Sequence, residues 1–357
     1  MSKVTFVNHP KPFKEMLDAR VQEYFKNNLI DEKGNWSLYH KGIVLLAVVI
    51  IAYLALFLIQ PLSWIHLVLC GVLGLAKASL GFNMMHDAAH GSYSKNKKLN
   101  DFCSFLGGDF IGGSTFLWKI KHNILHHTYT NIDGLDDDIA KYPLFRLSPN
   151  LEKKWFHKFQ WLYSVPMYMF TSINWTWMSD YFVISKMKIN NTDINVMKLR
   201  DHFYFWLGKL INATIFFFIP IFYFGIINTL IGYFTMHAIL GLVLALVFQM
   251  AHIVEHTEFP LPDEKTNKIE NEWALHQVLT TANFAMKSKL ISWYVGGLNY
   301  QIEHHLYPKV AHIHYPKISK IVQDVCKECG VYYNSFPTFA NALVSHFKML
   351  KQYGKTA

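Results

Sequence analysis

The sequence predicts an all-α integral membrane protein in which four spanning helices carry a cytoplasmic helical cap. Three observations predict it. The 357 residues are 52% hydrophobic and only 17% charged, whereas soluble domains carry about a quarter charged residues. Four stretches are apolar over the roughly 20 residues that cross a hydrocarbon core of about 30 Å. Histidine is abundant, with 19 residues against 25 acidic ones, and is clustered rather than scattered. The same composition excludes intrinsic disorder, collagen and coiled-coil rods, and a disulfide scaffold, for which four cysteines in this length are too few.

The apolar stretches are 42–60 (GIVLLAVVIIAYLALFLIQ, closed by Pro61), 62–85 (interrupted by Lys77), 205–227 and 229–250. The connections 60–63 and 226–232 contain no Lys or Arg. Nearly all basic residues lie in the first 41 residues, the long middle segment and the last hundred. By the positive-inside rule, both termini and the middle segment face the cytoplasm. The net charge of +9 is then topology plus attraction to anionic headgroups, not a nucleic-acid footprint. The expected division is a cytoplasmic segment 1–41, a membrane unit 42–345 and a tail 346–357. No signal-peptide core lies near Met1, so the first spanning helix is expected to remain as an anchor. Segments 102–118, with four glycines, and 155–182, crowded with aromatics, are expected to dip into the cytoplasmic leaflet without crossing it. Cys70 and Cys103 read as packing residues. Cys326 and Cys329 form a lone CxxC on an amphipathic helix over 318–329, too little for a redox or zinc motif.

The histidines fall in four clusters: HDAAH (His86, His90), HNILHH (His122, His126, His127), HIVEH (His252, His256) and QIEHH (Gln301, His304, His305). All lie on the predicted cytoplasmic side, two of them directly at the ends of spanning helices. On an α-helix, His86 and His90 share a face, as do His122 and His126, and His252 and His256. Adjacent residues diverge by about 100°, so His126 and His127, or His304 and His305, can serve two metals. Nine histidines and a glutamine exceed the needs of one ion, and imidazole suits iron, copper, nickel and zinc alike. The expectation for His9, His40, His157, His202, His276 and His346 is a solvated or interfacial setting. His66 and His237 are expected to pack within spanning helices. His312 and His314 read as structural, with a substrate-headgroup contact as the alternative.

Together, HDAAH, HNILHH and QIEHH resemble the three histidine boxes of the membrane fatty-acid desaturases. The Gln301-led third box is similar to that of the front-end, linoleoyl-CoA (Δ6-type) members. Trp273, Gln277, TTANFA and GGLNYQIEHHLYP extend the resemblance, which covers roughly residues 40–345. It implies a di-iron centre held in the cap by neutral imidazoles of His86, His90, His122, His126, His127, His304 and His305. His252 best matches a further family histidine near the end of the fourth helix, and His256 and Gln301 are weaker candidates. Gln301 stands where the wider family has histidine; ligation, holding a water and orienting a neighbour all stay open.

Ligating histidines pass their second N–H to a carboxylate or carbonyl. Asp87, Asp138, Asp133, Asp136, Asp137 and Glu303 are near enough in sequence, although DGLDDD reads equally as a solvated loop. Asn131, Trp118, Trp273, Gln277 and Asn283 are placed at the substrate entrance by position alone. The resemblance further implies O2-dependent insertion of a cis double bond into an acyl chain carried on CoA, carrier protein or lipid. HPKP at His9 is no haem motif, so electrons are expected from a separate ferredoxin or cytochrome b5 with its reductase, in a bacterial inner membrane. The ExxH pairs of soluble di-iron bundles are absent. A histidine-box hydroxylase or ketolase is the alternative enzyme. A metal transporter is a remote one, because mid-helix charge is limited to Lys77 and Lys209.

Overall fold

A computed structural model describes residues 4–7, 13–141, 143–190, 192–194 and 197–356. Its four long apolar helices are Trp36–Leu56, Trp64–His90, Leu199–Phe224 and Ile226–His252. Side chains such as Ile50, Ile51, Leu54, Phe222 and Ile227 lie exposed on them, an apolar surface suited to lipid rather than water. The protein is therefore a membrane protein.

Helix ends follow caps and glycine rather than hydropathy. The first helix starts at Trp36, not at 42, because the Asn35 side chain accepts the Ser37 N–H at 3.0 Å. The third stops at Phe224 because Gly225 adopts φ 78° and ψ 165°, a region essentially closed to side-chain-bearing residues. A Cβ at Gly225 would meet nothing within 4 Å, so the constraint lies in the backbone alone. Gly225→Ala is expected to cost about 1–3 kcal/mol and to lower the thermal midpoint of the detergent-solubilised protein by a few degrees. An unchanged midpoint would refute this account of the turn.

Segment 102–118 is not among the four long apolar helices. Lys97–Ser104, a π-helical turn Phe105–Asp109, Thr115–Trp118 and a second π-helical run Lys119–His126 form a bent hairpin. Its glycines permit close approach: a Cβ at Gly107 would lie 2.9 Å from the Met85 backbone nitrogen. Segment 155–182 likewise breaks into short helices, among them Gln160–Met169, Thr171–Asn174 and Asp180–Lys186. Lys209, inside the third spanning helix, is matched there by Asp180 at 2.8 Å and by the carbonyls of Gly112 and Thr176.

The cap is helical, and among the described residues its strand ladders are two residues long, such as Asn283–Phe284 beside Ser335–Phe336. Two terminal segments expected to be separate are part of it. Helix Phe13–Asn27 buries Phe13, Leu17, Val21 and Phe25 in one apolar cluster with Ile318, Val322 and Val325 of Tyr315–Glu328. Helix Phe339–Lys355 buries Leu350 and Tyr353, and Arg146 donates to the carbonyls of Tyr353 and Thr356. Its apolar face explains why 346–355 is no loose tail.

Three histidines expected to be solvated or interfacial are buried, each beside a partner. His346 lies between the Tyr168 hydroxyl and the Ile253 carbonyl, both at 2.9 Å. His157 donates to the Pro143 carbonyl, and His276 packs on the Phe6 ring. His40 is exposed and His202 partly so; His9 lies outside the described residues. His66 and His237 are buried in their helices, with His237 Nδ1 2.9 Å from the Ser172 hydroxyl. Cys70, Cys103 and Cys326 are buried free thiols, and Cys329 is an exposed one.

Candidate metal centre

The histidines gather where the second and fourth spanning helices end, beneath the cap. One potential ligand atom from each of His86, His90, His122 and His304 lies within 4.8 Å of the others, and the same holds for His126, His252 and His305. His122, His126 and Asp138 form a further such grouping between them. His127 sits between the two histidine groups. Its Nε2 is 3.2 Å from Nε2 of His122 and 3.0 Å from that of His304, while its ring stacks on His305 at 4.5 Å.

The local backbone explains this division. The run Lys119–His126 is π-helical and the His127 N–H bonds the His122 carbonyl, an i→i+5 step. That step brings His127 beside His122, which an α-helix would have paired with His126 alone. His126 still stacks on His122 at 5.2 Å and also joins His252 and His305. Another π-helical turn, Gly81–Met85, immediately precedes His86. On helix Gln301–Leu306, the adjacent His304 and His305 point to different groups.

Partners fix several rings from behind. His126 Nδ1 donates to Asp136 at 3.0 and 3.1 Å. Asp136 is fully buried and also accepts the backbone N–H groups of Asn131 and Asp138. Asp138, another of the acidic candidates, stands farther off, 3.5 Å from the same nitrogen. The acidic run folds inward around Asp136 instead of forming a solvated loop. Gln277 Oε1 is 2.8 Å from His305 Nδ1 and also accepts from Thr130. Tyr315 meets His304 Nδ1 at 3.2 Å, and the Thr280 carbonyl meets His252 Nδ1 at 3.3 Å. Asp87 lies 3.8 Å from His86 Nδ1 and accepts a bond from His312 Nδ1 at 2.8 Å, so His312 is a structural partner of the site.

The outward nitrogens are left bare. Nε2 of His86, His90, His126, His252 and His305 is buried with no hydrogen-bond partner among the described residues. Buried polar atoms are normally satisfied, so such a convergence marks a missing partner, and a cation is what imidazole lone pairs take. Burial, reinforced by neighbouring imidazoles, holds His122, His127, His304 and His305 well below ordinary histidine basicity. They are therefore neutral, the form that binds metal. Burial acts on His126 in the same direction, but Asp136 and Asp138 reverse it and raise the group to about 9.

Not every candidate reaches the cluster. His256 is exposed, at φ 67°, with its ring on Tyr332; the chain leaves the helix at Ile253, so the expected helical face is not continued. Gln301 is buried on the ligand helix, and its amide nitrogen has no partner among the described residues. Of the five residues assigned to the substrate entrance, Trp118 alone lines the cavity beside His86. Asn131 instead ties the carbonyls of His252, Glu258 and Thr280 together, and Trp273 donates to the His127 carbonyl. Asn283 braces the ligand helix through Glu303 and the Ile302 N–H. Sequence reasoning missed Thr130 and Tyr315, and no spacing rule singles out either.

That cavity is otherwise mainly apolar and opens beside the histidines between the second and fourth spanning helices. Trp118 stacks on His122 at 4.3 Å and thus joins cavity wall to histidine group.

Comparison with known proteins agrees with this construction. The family model for fatty acid desaturases matches residues 62–337. The chain is 36% identical over 97% of its length to an sn-1 linoleoyl-lipid 6-desaturase of Synechocystis sp., of which 96% is covered. It is 38% identical over 98% of its length to the protein of that name from Arthrospira platensis, with 95% covered. An acyl-lipid (8-3)-desaturase of Physcomitrium patens is 33% identical over 96% of this chain and 71% of its own. The chain belongs to the fatty acid desaturase family, as a membrane oxidoreductase that acts on fatty-acyl chains and is of the front-end type.

Proposed function

We infer that the chain inserts a cis double bond into a lipid-linked acyl chain already unsaturated farther from its carboxyl end, using O2 and two irons. The observation that carries this reading is the meeting of bare, buried imidazole nitrogens with one end of an apolar cavity, at His86 and Trp118. The names of the cyanobacterial relatives favour a linoleoyl chain and the sixth carbon.

His86, His90, His122 and His304 would hold one iron, and His126, His252 and His305 the other, with His127 between them. Gln301, buried at the start of the ligand helix, serves as a positioning group. Bound iron supplies the oxidising power that an unactivated methylene needs and no side chain possesses. The protein's share is placement and exclusion of water. Trp118, held against His122, forms the wall along which the reacting bond lies. Asp136 and Gln277 fix the orientation of His126 and His305 and increase their strength as ligands. Overall, the acyl chain loses two hydrogens and dioxygen ends as two waters, with two further electrons and two protons supplied from outside. The basic residues of the cytoplasmic side, where the histidines and both termini lie in this reading, favour an acidic carrier such as ferredoxin or cytochrome b5.

The test is expression in a desaturase-deficient bacterial host fed saturated, monoenoic and dienoic acids, followed by gas chromatography and mass spectrometry of the methyl esters. The expected product is two mass units lighter than a fed dienoic acid, with the new bond on the carboxyl side of the existing ones. A product sixteen units heavier would replace this reading with hydroxylation.

A further inference from the structure

A second apolar cavity lies farther from the histidine end than the one beside the histidines. The two stand in file along the same pair of helices. Helix Trp64–His90 lines the first with Lys77, Gly81 and Met85, and the second with Cys70 and Leu73. Helix Ile226–His252 supplies Leu240, Leu244 and Phe248 to the first, and Gly232, Tyr233 and Met236 to the second. Both helices run toward the histidine end, so Lys77 and Leu240 mark the far end of the first cavity. At 1.5 Å per residue, that end lies about 12 Å from the level of Met85 and Phe248.

One contact joins the linings of the two cavities. The Lys77 ammonium sits 3.9 Å from the centroid of the Phe216 ring; Lys77 lines the first cavity and Phe216 the second. Lys77 is fully buried, and its nitrogen has no hydrogen-bond partner among the described residues. An ammonium in hydrocarbon without hydrogen bonds is costly, and the ring face offsets part of that cost. Phe216 is held in turn by edge-on contacts with Tyr53 at 5.4 Å and Phe110 at 5.7 Å, on a π-helical turn, Thr214–Phe218, of the third spanning helix.

We propose that Lys77 and Phe216 form the floor of the acyl cavity and set the chain length accepted, and that the chamber beneath takes the methyl end of longer acyl chains once the floor is removed. This rests on the reading of the first cavity as the acyl site. A saturated methyl end gains nothing from the ammonium and cannot displace the ring, so chains that reach the floor are excluded at this level.

The test feeds a series of dienoic acids of 16 to 22 carbons, with double bonds fixed from the carboxyl end, to hosts expressing wild type, Phe216→Ala or Lys77→Met. Phe216→Ala is expected to raise the yield from the 20-carbon chain relative to the 18-carbon chain on the order of tenfold, the value of burying one more two-carbon unit. Lys77→Met shifts the ratio the same way. Adding Cys70→Phe, which fills the lower chamber alone, returns the double variant to the wild-type ratio. Phe216→Leu carries the same test if the alanine variant makes no product. A variant that still desaturates the 18-carbon chain with its length ratios unchanged overturns the floor. Wild type that desaturates none of the series would instead overturn the acyl reading itself.

Discussion

His304→Ala is expected to abolish desaturation, with product yield down by more than about a hundredfold and bound iron reduced. His304 stands at the centre of the cluster. Its Nε2 is 3.0 Å from that of His127 and 3.4 Å from that of His122, and its ring lies 4.4 Å from His86. Removal of a group that merely orients a ligand typically costs 10–100-fold in metal affinity or activity, so loss of a ligand exceeds that range. The informative control is His256→Ala. It belongs to the same sequence cluster as His252, yet its ring lies on Tyr332 at the surface, and its activity is expected to stay within about twofold of wild type. Iron content by elemental analysis and methyl-ester yield are measured on the same membranes. Retention of both in His304→Ala would falsify the ligand assignment.

Asp136→Ala ranks next, with an expected loss of about 10–100-fold in iron affinity and activity. Three donors converge on this carboxylate: His126 Nδ1 and the N–H groups of Asn131 and Asp138. Alanine strands all three in a buried place, each at about 1–3 kcal/mol, so the thermal midpoint also falls. Asp136→Asn keeps an oxygen for the backbone donors and is expected to recover much of the stability but less of the iron affinity, because it restores no negative charge behind His126. Asp137→Ala is the surface control: Asp137 is partly exposed and lies 3.7 Å from Lys121. Equal losses from Asp136→Ala and Asp137→Ala would mean that the acidic run acts only as bulk charge.

These two substitutions also mark how far the sequence could be read. The QIEHH cluster and its resemblance to a third histidine box brought His304 into the candidate set without coordinates, because such a motif is a local property of the chain. Asp136 could not be separated from Asp133, Asp137 and Asp138, since a run of acids has no internal signal for which one turns inward. The same limit applied to the terminal segments. Apolar positions of Phe13–Asn27 and Phe339–Lys355 find their partners in distant parts of the chain, Tyr315–Glu328 and the region around Arg146.

The HNILHH box shows the boundary most clearly. The sequence alone determined that imidazoles would cluster on one side of four apolar helices, since hydropathy and charge asymmetry act along the chain. It predicted His122 and His126 on one face because an α-helix repeats every 3.6 residues. The structure keeps those two rings stacked at 5.2 Å, but the π-helical run also sets His127 beside His122, and His126 reaches His252 and His305 as well. The packing of hairpin against helix allows that extra residue per turn, down to Gly107 on the Met85 backbone. Which imidazole joins which group, which carboxylate stands behind it and where the acyl cavity ends are relations between segments far apart in sequence.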